Sequence, residues 1–524
     1  MSYDRSLPEV LEHFYKLIPD NEVVYDGYSR KTYRELYEEV QQLASALTQK
    51  GIQKGDRVMV CIPNWNEFVT IYFSLATIGA ILVPCNTRYR AEELRHIVEN
   101  SQAKAAFLTG DFGHIELLEP YVNGERNQHT LSHLFTVRCE RDPHDSYEKL
   151  LKLGTNKQVP KMKLDPKVDV FTILYTSGTT GQPKGAMLTH KNVVHTAKLS
   201  AEWMKCTTDD VFLVPVPVFH VFGMIPGILS VISVGAKIVF MEKYNAKEAL
   251  TLMEKEGVTV HHGVPTMFIL ELNHPEFKNY DLSTLRTGIV AAAPCPVEIV
   301  KKIRSSMGCN ILVSYGLTET SAGVTFTSFE DDDKHRSETV GKALPGAEVK
   351  VVDLNRKEVQ RGEVGELAVR GFGVMKGYFR MPEKTSEAID KEGWFYTGDL
   401  ATIDERAYIR IVGRKKEMII RGGYNIYPRE IEEVFYKHPS VLEVAIVGLP
   451  DTVLGEVTCA AIKLKPNEVE DEDTLRDFIK NKVADYKVPD RFVFLEELPM
   501  TASGKIKKVA LEEELKKSLS ESLR

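Results

Sequence analysis

The chain has 524 residues, 43% of them hydrophobic and 27% charged, and its 67 Lys and Arg against 74 Asp and Glu give a formal net charge of -7. At roughly 150 residues per domain this is about three or four domain-sized units, enough to bury several cores without a disulfide or metal staple. The composition excludes a disordered, collagen-like or coiled-coil chain, and the mild acidity gives no long-range attraction that would make nucleic acid an expected partner.

From the N-terminus, MSYDRSLPEV lacks the basic-then-apolar order of a secretory signal. Thr32–Gly51 shows helical periodicity, with Gly51 as its stop. The segment 56–64 reads as a short apolar strand, 67–80 as a helix and 80–86 as the next strand. Apolar strands alternating with amphipathic helices predict parallel sheets covered on both faces. The pattern continues with a strand at 168–176, a Gly/Thr loop, and a helix from about Thr189 or His190. Val211–Ala236 carries no charged residue, but Pro215, Pro217 and Pro226 interrupt it. It reads as strand, loop and buried helix, with no transmembrane segment expected. A strand at 236–240, a helix at 245–257 and a strand at 258–265 follow, the last holding His261 and His262. No third ligand stands at a recognisable spacing, so this histidine pair reads as packing or hydrogen bonding.

After about residue 330 the texture changes. EDDDKHRSE (330–338) reads as a charged surface loop, and 347–371 alternates apolar and polar residues as antiparallel strands do. A small β-barrel subdomain is expected over about 335–412, closing on a hairpin at 401–414, and a compact α+β unit follows. The expected fold is therefore α/β: a large N-terminal domain of layered sheets with the barrel (1–413), then a small, mobile C-terminal domain (414–524). The seven cysteines are scattered, with no CxxC pair, and read as free thiols of a reducing compartment. A cytoplasmic location is expected. Cys295 has no base beside it in sequence to activate a thiol.

Tyr175-Thr-Ser-Gly-Thr-Thr-Gly-Gln-Pro-Lys-Gly185 is the most informative stretch. A strand delivers small hydroxylated and glycine residues whose N–H groups can approach a phosphate without a Cβ in the way, and Lys184 adds a charge. The spacing is not that of a Walker P-loop. This segment resembles the signature of the adenylate-forming superfamily of acyl-CoA synthetases, peptide-synthetase adenylation domains and luciferases. PVFHVFG (217–223), SYGLTET (314–320), YTGDL (396–400), GRKKEMIIRGGYNIYP (413–428) and PMTASGKIKK (499–508) match further family motifs in order.

The resemblance, closest in kind to fatty acid–CoA ligases, implies ATP, Mg²⁺ and CoA as a co-substrate. It implies that Thr176, Ser177, Gly178, Thr179, Thr180, Gly181 and Lys184 hold the β- and γ-phosphates. Tyr315, with Gly316 beside it, would stack on adenine, Thr318 would bind the α-phosphate, and Glu319 with Thr176 would hold Mg²⁺. Asp399 would accept the ribose hydroxyls and Arg414 would contact ribose or phosphate. Lys505 would bridge the substrate carboxylate and the α-phosphate, with His220 flanking the carboxylate. Lys416 would be the pivot about which the small domain turns, and Gly422 and Gly423 would line the pantetheine passage. Val221, Phe222, Gly223 and Met224 look like pocket wall, while Ala291-Ala292-Ala293-Pro294 departs from the glycine-rich family turn. GFGVMKG (371–377) reads as loop geometry. The expected activity is fatty acid–CoA ligation. An aryl-CoA ligase, a luciferase-like oxygenase and a carrier-protein acylating enzyme share the motifs and stay open, as does a homodimer.

Overall fold

The structure is a computed structural model that describes residues 3–124, 130–176, 183–293, 295–501 and 505–521. Two large sheets form its body. The first has eight strands, in the order Gly377–Tyr378, Lys184–Thr189, Val170–Thr176, Ile81–Pro84, Arg57–Cys61, Ala105–Leu108, His133–Thr136 and Asp145–Ser146. The second has nine, running from Lys342–Ala343 through Asn310–Leu317, Thr287–Val290, Val260–Gly263 and Val211–Val214 to the edge pair Glu22–Tyr25 and Arg30–Thr32.

Helices fill the space between them. One hydrophobic cluster joins Val58, Leu82 and Phe107 of the first sheet to Phe212, Ile238 and Phe240 of the second, through Phe68, Tyr72 and Leu75 of the helix Asn66–Ile78. That helix buries 11 of its 13 residues, which fits an element that is apolar on every side. The helix Tyr33–Gln49 starts on a capping box, in which Thr32 Oγ1 accepts from the Glu35 N–H and the Glu35 carboxylate accepts from the Thr32 N–H. Gly51, with φ +81°, follows its C-terminus. Val211–Ala236 resolves into a strand (Val211–Val214) and a buried helix from Val221 to Val234, with a π-helical turn at Ile225–Leu229. Among the described residues no helix is long and apolar enough to cross a membrane.

Three expectations need correction. The Gly/Thr loop leads not to a helix but to the strand Lys184–Thr189, which pairs antiparallel with Val170–Thr176; the helix His190–Trp203 starts only after it. The eight-stranded sheet is accordingly antiparallel at this edge and parallel out to Asp145–Ser146 at the other, while the nine-stranded sheet is antiparallel at both edges. EDDDKHRSE holds a short helix, Asp333–Glu338, whose cap Asp332 accepts the His335 N–H. The region expected as a barrel is an antiparallel sheet of four strands, Ala347–Val352, Gly365–Gly371, Phe395–Ile403 and Ile409–Arg414, paired as an open path.

After Arg414 the chain enters a five-stranded sheet built on the long hairpin Val441–Asp451 and Gly455–Leu464. The hydrophobic clusters of this unit draw only on residues from Ile419 onward, among them Ile431, Phe435, Ile446, Ile462, Leu475 and Leu511. A unit with its own core can move as a body.

Candidate active site

Three sheets and one hairpin converge on the site. Thr176 and Lys184 are register partners at the mouth of the signature loop, where Thr176 Oγ1 donates to the Lys184 carbonyl at 3.4 Å. Ser177, Gly178, Thr179, Thr180 and Gly181 lie outside the described residues.

Asn310–Leu317 brings in Tyr315 and then breaks into a 3₁₀ turn, Thr318–Thr320. Gly316 is required at the break, because a Cβ there would sit 1.4 Å from the Ala322 carbonyl oxygen. The turn aims Glu319, whose Oε1 accepts from Tyr378 Oη at 2.9 Å and whose backbone carbonyl accepts from the Met375 N–H at 2.8 Å.

Asp399 and Arg414 are cross-strand partners in the four-stranded sheet. Asp399 is only 4% exposed. Tyr315 Oη donates to its Oδ2 at 2.6 Å, and Arg414 Nε pairs with its Oδ1 at 2.9 Å. Burial pushes the Asp399 carboxyl above its ordinary range, with Arg414 and Tyr315 opposing the shift. A carboxylate offers about four acceptor sites, so two partners leave room for a vicinal diol. Replacing Asp399 by Asn should weaken ATP binding by roughly 10–100-fold, the worth of hydrogen bonds to a charged group; calorimetric titration with ATP checks it.

Lys505 is clamped by contacts of its backbone and its neighbour's with Thr501 and Met500. The Thr501 N–H donates to the Lys505 carbonyl at 2.7 Å, the Lys505 N–H donates to Thr501 Oγ1 at 2.9 Å, and Met500 bridges to Ile506. Its ammonium lies in the field of Arg414, Asp399 and Glu319. Burial, then Arg414, holds its pKa down to about 8, while the two carboxylates pull the other way. His220 stands at the start of the Val221–Met224 helix. Burial first, and Lys505 second, lowers its pKa to about 4, so the ring is neutral at physiological pH. Its Nε2 is buried and has no partner among the described residues. Lys505, His220, Arg414, Asp399 and Glu319 thus form one constellation, although 285 positions separate the first two in sequence.

Glu319 and Thr176 fit a Mg²⁺ site of the sparse kind. The described residues hold no group of three or more His, Cys, Asp or Glu that could cage a metal. Mg²⁺ is commonly held by one or two carboxylates plus substrate phosphates, and needs no such cage.

Lys416 is exposed on a turn closed by the Glu417 N–H on the Arg414 carbonyl at 3.0 Å, and Arg414, Lys184, Asp399 and Glu417 act on its charge. Gly422 and Gly423 are not part of the constellation. They are exposed at a hairpin tip, with φ +56° and +86°, the two positive values that a tight two-residue hairpin requires. Burial pushes the Cys295 thiol well up, which suits a structural residue. His261 is buried against Glu271 at 3.1 Å, and His262 Nδ1 accepts from the Ile289 N–H at 3.2 Å.

Sequence reasoning passed over Tyr378, Arg429 and Lys508. Arg429 donates to the Ile411 carbonyl at 2.8 Å, across the expected boundary near Lys416. Lys508 pairs with Glu432 at 2.7 Å and Glu417 at 3.7 Å, tying the Lys505 segment to the turn at Lys416. Only the third lysine of KIKK hinted at it.

A family model for AMP-binding enzymes matches residues 11–379, and one for the C-terminal domain of AMP-binding enzymes matches 430–505. The chain is 43% identical to YngI of Bacillus subtilis (strain 168), a provisionally named acyl-CoA synthetase, over 97% of this chain and 96% of that one. It is 34% identical to the mitochondrial medium-chain acyl-CoA ligase ACSF2 of Homo sapiens, over 98% of this chain and 88% of the relative. Among solved structures, the anthranilate CoA ligase AuaEII in complex with anthranoyl-AMP superposes with a TM-score of 0.90 at 25% identity, covering 99% of both chains.

Proposed function

The chain belongs to the AMP-binding enzyme family, in the acyl-CoA synthetase branch of the adenylate-forming enzymes, and on that premise we propose that it joins a medium-chain fatty acid to CoA. The class itself, an AMP-forming acid–thiol ligase, follows from the family. The observation that carries the mechanism is the Lys505 ammonium set among Arg414, Asp399, Glu319 and His220.

A carboxylate does not accept a thiol directly, because oxide is a poor leaving group. In the first step a carboxylate oxygen attacks the α-phosphorus of ATP, and the bond to pyrophosphate breaks. Two anions must meet, so cations and donors aimed at the developing charge are the main source of rate. Lys505 supplies a compact ammonium between carboxylate and α-phosphate. The neutral His220 flanks the carboxylate without adding charge, and Thr318 donates to the phosphate. Asp399, held by Tyr315 and Arg414, fixes the ribose. Mg²⁺, when held by Glu319 and Thr176, neutralises phosphate charge.

In the second step the CoA thiolate attacks the acyl carbon, and the bond to AMP breaks. Lys505 covers the face that the thiol needs. The unit that follows Lys416 therefore turns about that residue and brings Gly422 and Gly423 to the passage, a motion concentrated in a few linker residues. The seven unpaired cysteines support a cytoplasmic location.

Two features favour an aliphatic acid: the name of the ACSF2 relative, and the buried, uncharged run Phe222, Gly223 and Met224 that follows His220 in the chain. The superposition on an anthranilate ligase favours an aryl acid as the second reading. A panel of hexanoate, octanoate, decanoate, benzoate and anthranilate, followed by pyrophosphate release with and without CoA, separates them. Each buried methylene contributes about 0.8 kcal/mol, so kcat/KM should rise about fourfold per methylene until the pocket ends. Aryl acids outrunning octanoate would overturn the fatty-acid reading.

A further inference from the structure

The glycine loop Gly371–Gly377 and the tyrosine after it have no part in the chemistry above, yet they touch two elements of it. Gly377–Tyr378 is the edge strand of the eight-stranded sheet and pairs antiparallel with the strand that starts at Lys184, Gly377 with Met187 and Tyr378 with Ala186. The Lys376 N–H on the Met187 carbonyl (2.9 Å) and the Phe379 N–H on the Gly185 carbonyl (2.7 Å) extend that pairing. Gly377 has φ +141°, and a Cβ there would lie 2.8 Å from Thr385 Cγ2, so the strand can seat only with glycine at this position. The Tyr378 backbone is thereby fixed to the strand that carries Lys184.

Its side chain turns the other way. The ring is 7% exposed, its hydroxyl donates to Glu319 Oε1 at 2.9 Å, and the Lys184 ammonium lies 4.9 Å from the ring centroid. One phenol thus contacts a carboxylate and a cation that reach the site from different sheets.

We propose that Tyr378 is a positioning residue for adenylation, which orients the Glu319 carboxylate toward the metal and parks the Lys184 ammonium over its ring until the phosphates arrive. A carboxylate on a one-turn 3₁₀ segment has free side-chain torsions; engaging one oxygen leaves the other presented as a ligand in a fixed direction. Outer partners of this kind orient metal ligands and tune their affinity. The ring face attracts an ammonium weakly enough for a phosphate to take it over. This inference rests on reading Glu319 as the magnesium carboxylate.

The test compares Tyr378→Phe, which keeps the ring and loses the hydroxyl, with Tyr378→Leu and Glu319→Gln. Calorimetry follows the binding of ATP with Mg²⁺ and of ATP in EDTA. Pyrophosphate exchange is titrated with Mg²⁺, and thioester formation is measured from supplied acyl-AMP. For Tyr378→Phe the expected result is roughly tenfold weaker Mg·ATP binding, the scale of one hydrogen bond to a charged acceptor. A higher Mg²⁺ requirement should accompany it, with metal-free ATP binding and the thioester step within twofold of the parent. Tyr378→Leu should in addition weaken metal-free ATP binding, through Lys184. Equal losses in both half-reactions, or an unmoved Mg²⁺ requirement in Tyr378→Phe while Glu319→Gln shifts it, would overturn the positioning role alone. If Glu319→Gln leaves the Mg²⁺ requirement unmoved, the reading of Glu319 falls and this inference with it.

Discussion

Replacing Lys505 by Ala is expected to lower acid-dependent pyrophosphate exchange by about 10²–10³-fold, the cost of removing one aimed charge from such a transition state. Thioester formation from supplied acyl-AMP should stay within a few fold. The split follows from where the ammonium sits. Under the proposed mechanism it bridges two anions only while the carboxylate and the triphosphate are both present, and it leaves before a thiol enters. A residue that merely supported the fold would depress both half-reactions together, and that outcome would remove Lys505 from the mechanism. The local structure argues for a clean variant. The segment is held by the Thr501 and Lys505 backbone groups and the Met500–Ile506 bridge, none of which involves the lysine side chain.

The same residue fixes the pH dependence. The groups that face it are Arg414, Asp399, Glu319 and His220; burial first, then Arg414, holds its pKa down to about 8 against the pull of Asp399 and Glu319. The ammonium is the active form, so the activity is present below that value and lost as pH rises through it. In the adenylation half-reaction kcat/KM, which reports the free enzyme, should be level near neutrality and fall about tenfold per pH unit above about 8. The limb in kcat should lie higher, since bound phosphates favour the charged lysine. Lys505→Arg should abolish the alkaline limb, because a guanidinium does not titrate there. His220, at about 4, adds no limb between pH 5 and 8. A limb that survives in Lys505→Arg would assign the titration to another group.

The alternation of apolar strands and amphipathic helices was legible over 33–86 and 236–263, where short apolar runs stand between helix-length amphipathic segments, whereas the elements between 87 and 167 went unread. The strand Lys184–Thr189 was not legible: six residues after a Gly-Pro loop show no clear alternation, and only pairing with Val170–Thr176 makes them a strand. The helix Asp333–Glu338 hid in a run of charges, although Asp332 is a good N-cap residue. The chemistry was legible as motifs, through the resemblance, but the contacts between motifs were not. Tyr315 meets Asp399 across 84 positions, and Tyr378 meets Glu319 across 59. Nothing local in either segment points to its partner; the sheets bring them together. The boundary near Lys416 was placed where a compact α+β unit begins after the hairpin at 401–414. The separate hydrophobic clusters from Ile419 onward give that unit a physical basis.

The pivot is best tested through the contacts it has to break. Proline at 416 is the obvious stiffener, but the Glu417 N–H on the Arg414 carbonyl makes Lys416 the third residue of a four-residue turn. Proline is disfavoured there in a type I turn, so that substitution would disturb the very orientation it was meant to hold. Arg429 offers a cleaner handle. It lies on the helix Pro428–Phe435, beyond the pivot, and donates to the carbonyl of Ile411, before the pivot. One turn along, the Glu433 carboxyl accepts the Val297 N–H at the start of another helix of the large domain. Both contacts join the unit after Lys416 to the large domain, and under the proposed mechanism neither survives a rotation about Lys416. A hydrogen bond from a charged group contributes about 1.5–3 kcal/mol, so Arg429→Met should shift the balance of orientations by roughly 10–100-fold. Adenylation is expected to slow by up to that factor, while thioester formation from supplied acyl-AMP holds steady or quickens. Lys505→Ala shares the first effect without the second. Equal loss of both half-reactions, with a lowered Tm, would make Arg429 a residue of the fold alone and leave the pivot at Lys416 unsupported.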